Sequence, residues 1–257
     1  MSRATISAII ITKNEEKILP ECLASLDWVD EIIVVDSGST DRTVEIAENV
    51  GAKVHVNDEW PGFGKQKQLA QSYATQDWIL AIDADEVVSE ELKQSILREL
   101  ESPKDNTLFI LRRKTWVFGR FLNHSGWYDK IVRFYPRTLT GYNDALVHEK
   151  IIEPANGKKD TLQGDLLHYS YKDLNNYLVK SAGYAKAWAD TREQKGKKTS
   201  ISQGMIHAIS CFLKMYVLKR GFLDGKQGFL IAVLSAHSTF VKYADLWIRA
   251  NDERHSK

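Results

Sequence analysis

The sequence predicts an α/β fold built on a mostly parallel sheet, and two observations carry that prediction. Over residues 1–100, β-branched apolar runs alternate regularly with segments of helical pattern, as in strands joined by crossover helices. Beyond Pro103 strand-like runs follow one another without long helices between them, which predicts an antiparallel extension of the same sheet.

Taken in order, "ISAIII" (6–11) reads as a buried strand and "PECLASL" as a helix. Pro20 is tolerated in its first turn, where a proline forfeits no helical hydrogen bond. "EIIVVD" (31–36) is the second strand. "STDRTVEIAENVG" is a helix with Ser39, Thr40 and Asp41 as cap candidates, apolar positions at Val44, Ile46 and Ala47, and a stop at Gly51. "KVHV" is a third strand, "KQKQLAQSYA" a helix, "WILAID" a fourth strand, and "SEELKQSILREL" a helix capped by Ser89. "TLFILRRKTWVF", "KIVRFYP" and "ALVHEKII" then read as strands. Residues 173–196 read as a helix with an apolar stripe at Leu174, Tyr177, Leu178, Ala182, Ala185 and Trp188. A basic "KGKK" linker leads to two further apolar helical segments, separated by the glycine-punctuated turn "KRGFLDGKQG".

Composition narrows the function classes. A chain of 257 residues with 43% hydrophobic content has a real core. A formal net charge of +1 gives no general reason to expect nucleic acid as partner. The charge is unevenly spread, however: Arg192 to Arg249 holds ten Lys or Arg against three acids, an excess of seven. Cys22 and Cys211 lie in unlike surroundings, which argues against a disulfide framework or a zinc site and for a reducing compartment. The N-terminal apolar run reaches "KNEE" without a signal-peptide cleavage site, so it reads as a strand of a cytoplasmic protein. The longest uncharged stretches fall short of the ~20 residues of a spanning helix.

Open α/β sheets gather ligands beyond the carboxyl ends of their strands. Here Thr12, Lys13, Asn14 and Glu15 follow the first strand, Asp36 to Asp41 the second, and Asp83, Ala84 and Asp85 the fourth. These rims converge in the expected topology. Two carboxylates one residue apart at the end of a buried strand repel each other and need a positive partner. A hard divalent cation that keeps waters and bridges a diphosphate would serve, which makes "DAD" a candidate metal and diphosphate site.

With those residues in view, "SAIIITKNEE", "DEIIVVDSGSTDRT", "GFGKQKQLA" and "WILAIDADEVVS" in this order resemble the nucleotide-binding half of family 2 glycosyltransferases, which have the GT-A fold. The resemblance is strong over about residues 4–100. "GWYDKIVRFYPR", "LVHEKI", "LLHYSYKDL" and "RGFLDGKQGFLIAVLSAHSTFVKYA" are similar to the branch that glucosylates the inner-core heptose of lipopolysaccharide. The resemblance implies a catalytic domain over 1–196, with a nucleotide-sugar half (1–100) and an acceptor half (101–196), and a helical appendage over 197–257. It further implies that Thr12, Asn14, Glu15, Asp36 and Ser39 face the nucleoside of a nucleotide sugar, and that Lys65 and Gln66 lie near the donor. Asp83 would hold ribose or sugar, and Asp85 with His168 a Mg²⁺ or Mn²⁺ ion; His168 has the alternative of a hydrogen-bonded histidine on an apolar strand.

Inverting transfer also needs a base for the acceptor hydroxyl. Where family 2 enzymes commonly offer a Glu-Asp pair, this chain has "VHEK", which makes Glu149 the candidate with His148 its neighbour; Asp129 and Asp144 are alternatives. Glu149 can also be read as a surface carboxylate paired with Lys150. The implied partners are a UDP-sugar, UDP-glucose first, and a glycolipid acceptor. Between Met205 and Val217, apolar residues recur at helical spacing among Lys214, Lys219 and Arg220. That pattern suits packing against the catalytic domain or an interfacial surface held to anionic lipid on the inner face of the inner membrane. Rival readings are sugar transfer to a polyprenyl phosphate, which needs no base, and a nucleotide-sugar-binding module without turnover.

Overall fold

The computed structural model describes residues 3–147, 149–171 and 173–251. In chain order its strands and first helices are β1 (Ile6–Thr12), α1 (Leu19–Ala24), β2 (Glu31–Asp36), α2 (Thr43–Asn49), β3 (Lys53–Val56), α3 (Phe63–Tyr73), β4 (Trp78–Asp83), β5 (Glu86–Val88) and α4 (Glu90–Glu101). There follow β6 (Thr107–Val117), β7 (Arg120–Phe121), β8 (Tyr128–Pro136), β9 (Lys158–Tyr171), α5 (Leu174–Gln194), α6 (Ile201–Leu213) and α7 (Gly225–Asn251). A π-helical turn (Lys214–Leu218) and a 3-10 turn (Gly221–Asp224) join α6 to α7.

The strands form one sheet in the order β3-β2-β1-β4-β8-β6-β9-β5, with β7 paired to β6. The β3, β2, β1 and β4 neighbours are parallel, whereas β8 joins β4 and β5 joins β9 in antiparallel sense. Both halves of the sheet follow the sequence expectation. Of the parallel strands β1, β2 and β4 are buried, which is why they read as apolar runs, whereas the edge strand β3 is partly exposed. Ile6, Ala8 and Ile10 pack with Leu19, Leu23, Leu92 and Ile96 on one side, while Ile9, Ile33 and Ile79 pack with Ala70 of α3 and Ala74 just after it on the other.

The chain divides into two compact units, residues 1–113 with 129–168 and residues 114–128 with 169–257. In the second unit α5 and α6 each pack along α7. Arg249 of α7 reaches Asp190 at 2.6 Å and Glu193 at 2.9 Å on α5. Asp224, which is buried, accepts from the backbone N–H groups of Asn123 and His124, each at 3.0 Å. Thus α5, grouped by the sequence reading with the residues before it, packs with the C-terminal helices.

Four expectations are corrected. Among its described residues "ALVHEKII" forms no strand: an isolated bridge pairs Tyr142 with Ile151, and Leu146 and Val147 are exposed. Ser39 and Thr40 do not cap α2, because Ser39 bonds Asp36 and Thr40 donates to Asn14; Asp41 accepts from the Thr43 N–H at 3.1 Å instead. On α5 the buried positions are Tyr177, Ala185 and Ala189, and Leu174 and Leu178 are exposed. Finally, helical structure runs through Lys214 to Leu218, so Ile201–Leu218 is by length and composition long and apolar enough to cross a membrane, with a mean hydropathy of 1.2 over 18 residues.

Candidate functional site

Strand register builds the rim. β1 lies between β2 and β4, with Thr12 opposite Asp36 and Ile11 opposite Asp83, so the acids that end β2 and β4 lie at one level. At the β2 end, Asp36 is buried and accepts from Thr12 Oγ1 at 2.8 Å, from the Ser39 N–H at 2.7 Å and from Ser39 Oγ at 2.5 Å. Asn14, at φ 55°, donates its N–H to Ser39 Oγ at 2.8 Å and accepts from the Thr40 N–H at 2.8 Å. The Glu15 N–H donates to Thr43 Oγ1 at 2.8 Å. The first two loops are therefore laced together through the predicted residues. Gln66 is fully buried and extends the lacing, donating to Ser37 Oγ at 2.9 Å and accepting from Asn57 Nδ2 at 2.9 Å.

Lys65 is exposed on α3. Two positions on, Lys67 is buried and enters the acidic cluster, its Nζ lying 2.8 Å from Asp83 Oδ1 and 2.6 Å from Glu149 Oε1. Burial and the neighbouring Arg133 both oppose its charge, yet Asp83, Tyr142 and Glu149 outweigh them and raise its pKa. Glu149 thus pairs with Lys67 of α3, not with Lys150. His148 lies outside the described residues. Of the alternative bases, Asp129 is held by Arg113 through two hydrogen bonds at 2.8 and 3.1 Å, and Asp144 is exposed and accepts from Gln68 at 2.8 Å.

Arg133 on β8 is the second cation of the cluster. It is buried, bonds Asp83 Oδ2 and donates to the Tyr142 hydroxyl at 3.2 Å. Burial works to raise the Asp83 pKa, but the charges of Arg133 and Lys67 override it and hold the carboxyl far below the usual range. Glu86 is fully buried behind Asp83; its Oε2 accepts from the Asp83 N–H at 2.9 Å. Its Oε1 makes no hydrogen bond, lying 3.5 Å from Arg113 and 3.6 Å from Arg133. Burial, with Asp83 nearby, raises this carboxyl despite the two arginines. Glu86 therefore backs Asp83 through the Asp83 N–H and adds a negative charge close to both guanidinium groups.

The β5–β9 register sets Glu86 opposite His168 and brings His168 beside Asp85, Nε2 to Oδ2 3.4 Å. Burial disfavours the charged ring, while the hydrogen bond and charge of Asp85, aided by Glu86, overcome it and raise the His168 pKa. Among the described residues no group of three or more metal-ligating side chains forms. The pair nevertheless suits a hard cation. Adjacent ligand atoms on an octahedral ion with bonds of ~2.1 Å are roughly 3 Å apart, and such an ion keeps several waters and takes diphosphate oxygens. Asp85 is also the one acid of the cluster whose described partner is a histidine, the other carboxylates lying beside Lys67, Arg113 or Arg133.

The segment carrying Glu149 is positioned by backbone contact with α3. The Phe63 N–H donates to the Leu146 carbonyl at 3.1 Å and the Gly64 N–H to the Ala145 carbonyl at 3.0 Å. A Cβ on Gly64 would lie 2.0 Å from the Asn143 carbonyl oxygen, so only glycine admits this approach. "GFGK" is thus a close-packing motif that seats the loop carrying Glu149 against the helix that supplies Lys67.

This arrangement of two laced loops and an acidic strand end agrees with comparison to known proteins. Residues 7–152 match the model of glycosyl transferase family 2. The chain belongs to that family. An uncharacterized glycosyltransferase of Rickettsia felis is 35% identical over 253 residues, covering 94% of this chain and 89% of that protein. The lipopolysaccharide core biosynthesis glycosyltransferase LpsC of Rhizobium meliloti is 28% identical over 251 residues, covering 95% and 92%. The structure of S. aureus TarS 1–349 matches with a TM-score of 0.50 at 18% identity, covering 98% of this chain and 91% of that one, which is a likeness of fold. The fold is the α/β GT-A type that the sequence implied.

Proposed function

We propose that this family 2 glycosyltransferase is an inverting, divalent-cation-dependent hexosyltransferase. Its donor is UDP-glucose and its acceptor a cell-envelope glycolipid, the inner-core heptose of lipopolysaccharide. The observation that carries the reading is the Lys67 bridge, in which one buried ammonium holds both Asp83 at the donor-side strand end and Glu149 on the following loop. In-line displacement at an anomeric carbon needs the donor fixed and a proton acceptor within reach of the attacking hydroxyl. Thr12, Asn14, Glu15, Asp36 and Ser39 form the nucleoside rim, Gln66 stiffens it, and Asp83 accepts hydroxyl hydrogen bonds from ribose or sugar. Glu149 takes the acceptor's proton as the new carbon–oxygen bond forms and the bond to diphosphate breaks. Asp85 and His168 would hold Mg²⁺ or Mn²⁺, which supplies neutralising charge for the departing diphosphate when bound. Similarity to LpsC, a protein named for lipopolysaccharide core biosynthesis, supports an envelope acceptor.

The test is UDP release from UDP-glucose with heptose-bearing core oligosaccharide. Glu149→Gln and Asp85→Asn each lower turnover by roughly 10²-fold or more while the fold is kept. Near-normal turnover in both overturns the assignment. A normal Glu149→Gln enzyme alone points to an acceptor that is already anionic, such as a polyprenyl phosphate. Tight binding of UDP-glucose without product from either acceptor leaves a binding module.

A further inference from the structure

In the second compact unit, α6 is apolar on the wrong side for a helix of a protein surrounded by water. Its buried positions are the small residues Gly204 and Ala208, and a Cβ on Gly204 would lie 2.9 Å from Tyr243 of α7, so α6 packs closely on α7 through small side chains. Its large side chains face outward: Met205 is 49% exposed, Ile206 63%, Ile209 54% and Leu213 49%. Exposed apolar side chains follow in the next elements too. Val217 and Leu218 of the π turn, Phe222 and Leu223 of the 3-10 turn, and Phe229, Leu230 and Val233 of α7 are exposed as well. Phe212, Tyr216, Phe222 and Phe229 join these elements through ring contacts of 5.3 to 6.3 Å. A patch of this extent marks an interaction site.

Charge selects the partner. From Ser200 to Ala244 the chain carries Lys214, Lys219, Arg220, Lys226 and Lys242 against one acid, Asp224. Asp224 is buried and engaged by the 123–125 backbone and side chains, while Lys214, Lys219, Arg220 and Lys226 are exposed around the apolar turn. A broad apolar face rimmed by lysine and arginine, with no exposed acid among them, matches an anionic bilayer, whose headgroups meet the cations while the acyl region takes the side chains.

We infer that α6, the two turns and the start of α7 form an interfacial docking surface that lies in the plane of an anionic lipid membrane. Length and composition would let Ile201–Leu218 span, but α6 packs one long side on α7 through Gly204 and Ala208 and is followed by exposed Lys214, Lys219 and Arg220, which suits a helix lying in the plane of the membrane. The inference does not depend on the donor or acceptor assigned above.

The experiment is flotation of the full chain with phosphatidylcholine vesicles, with and without phosphatidylglycerol, at low and high salt. The protein floats with the anionic vesicles. Ile209→Glu and Leu213→Glu abolish flotation, and Lys214→Glu with Lys219→Glu weakens it about tenfold or more and removes its salt dependence. Each variant keeps the parent melting temperature and its UDP-induced shift, which separates loss of docking from loss of the donor site. A monodisperse wild-type monomer that stays out of anionic vesicles at low salt overturns the proposal. So does a dimer that Ile209→Glu converts to monomer without any vesicle binding, since the face would then belong to a second copy. Protein that floats but resists alkaline carbonate extraction overturns the in-plane placement.

Discussion

Replacing Lys67 by methionine keeps most of the apolar stem of the side chain and removes the charge that Asp83 and Glu149 share. Leaving a buried charge without its partner costs about 3–5 kcal/mol. Asp83 retains Arg133, and the Asp83 and Glu149 side chains are 28% and 13% exposed, so the expected loss is smaller, about 2–3 kcal/mol. At about 2–4 °C per kcal/mol for a chain of this size, the melting temperature falls by roughly 5–10 °C. Catalysis suffers more. A positive charge ~4 Å from charge developing in the site, at an effective dielectric constant of ~20, is worth about 4 kcal/mol, so kcat/KM drops by roughly 10²- to 10³-fold. The assays are differential scanning calorimetry and UDP release. Adding Glu149→Gln to Lys67→Met restores part of the lost stability, because the uncompensated carboxylate is gone, and a double-mutant cycle measures that coupling. A Lys67→Met protein with unchanged melting temperature and kcat/KM refutes the reasoning.

Gly64→Ala drives a methyl into the Asn143 carbonyl, so it shifts the loop that carries Glu149 and lowers both melting temperature and turnover, the latter by about tenfold or more, as calorimetry and UDP release will register. Glu31 is held by Ser7, Thr75 and Lys53, which outweigh the opposing effect of burial and bring its pKa from 4.5 to about 2. The folded value lies below the unfolded one, so this contribution is full above pH 4.5 and fades as pH falls toward 2. After allowance for screening it amounts to roughly 1–2 kcal/mol, and Glu31→Gln flattens that part of an acid-unfolding curve. The Asp85 hydrogen bond and charge raise the His168 pKa, and at the proposed cation site a proton and the ion would compete for this ring, so Mn²⁺ binding followed by electron paramagnetic resonance is expected to weaken about tenfold per pH unit below that pKa. His168→Asn removes this pH dependence and weakens binding at neutral pH.

The parallel half of the fold was legible because its strands carry their own signal. Strands buried on both faces must be apolar at successive positions, and "EIIVVD" and "WILAID" match β2 and β4 at both ends. "ALVHEKII" misled because exposed apolar residues imitate the same run; Leu146 and Val147 lie on a loop held by backbone bonds to α3, a long-range contact that no local period encodes. The acids at the strand ends were legible from charge repulsion, but their cations were not all named. The demand for positive charge at "DAD" is met for Asp83 by Lys67 and Arg133, so the argument for a metal rests on Asp85 and His168. Arg133 could have been found, since an arginine within the apolar strand "KIVRFYP" requires a buried carboxylate. Choosing Lys67 over Lys65 needed the helix phase, which puts residues 66, 67 and 70 inward and residue 65 outward.

The proposed function requires a cation-assisted UDP-sugar site at the carboxyl ends of β1, β2 and β4. The most direct measurement is the thermal shift of wild type and Asp85→Asn across a panel of nucleotides and nucleotide sugars, each with and without Mn²⁺ and Mg²⁺. A UDP-selective rise in melting temperature that requires the cation and vanishes in Asp85→Asn is expected. Folded wild-type protein that shifts with no nucleotide, or shifts equally in Asp85→Asn and without metal, contradicts it.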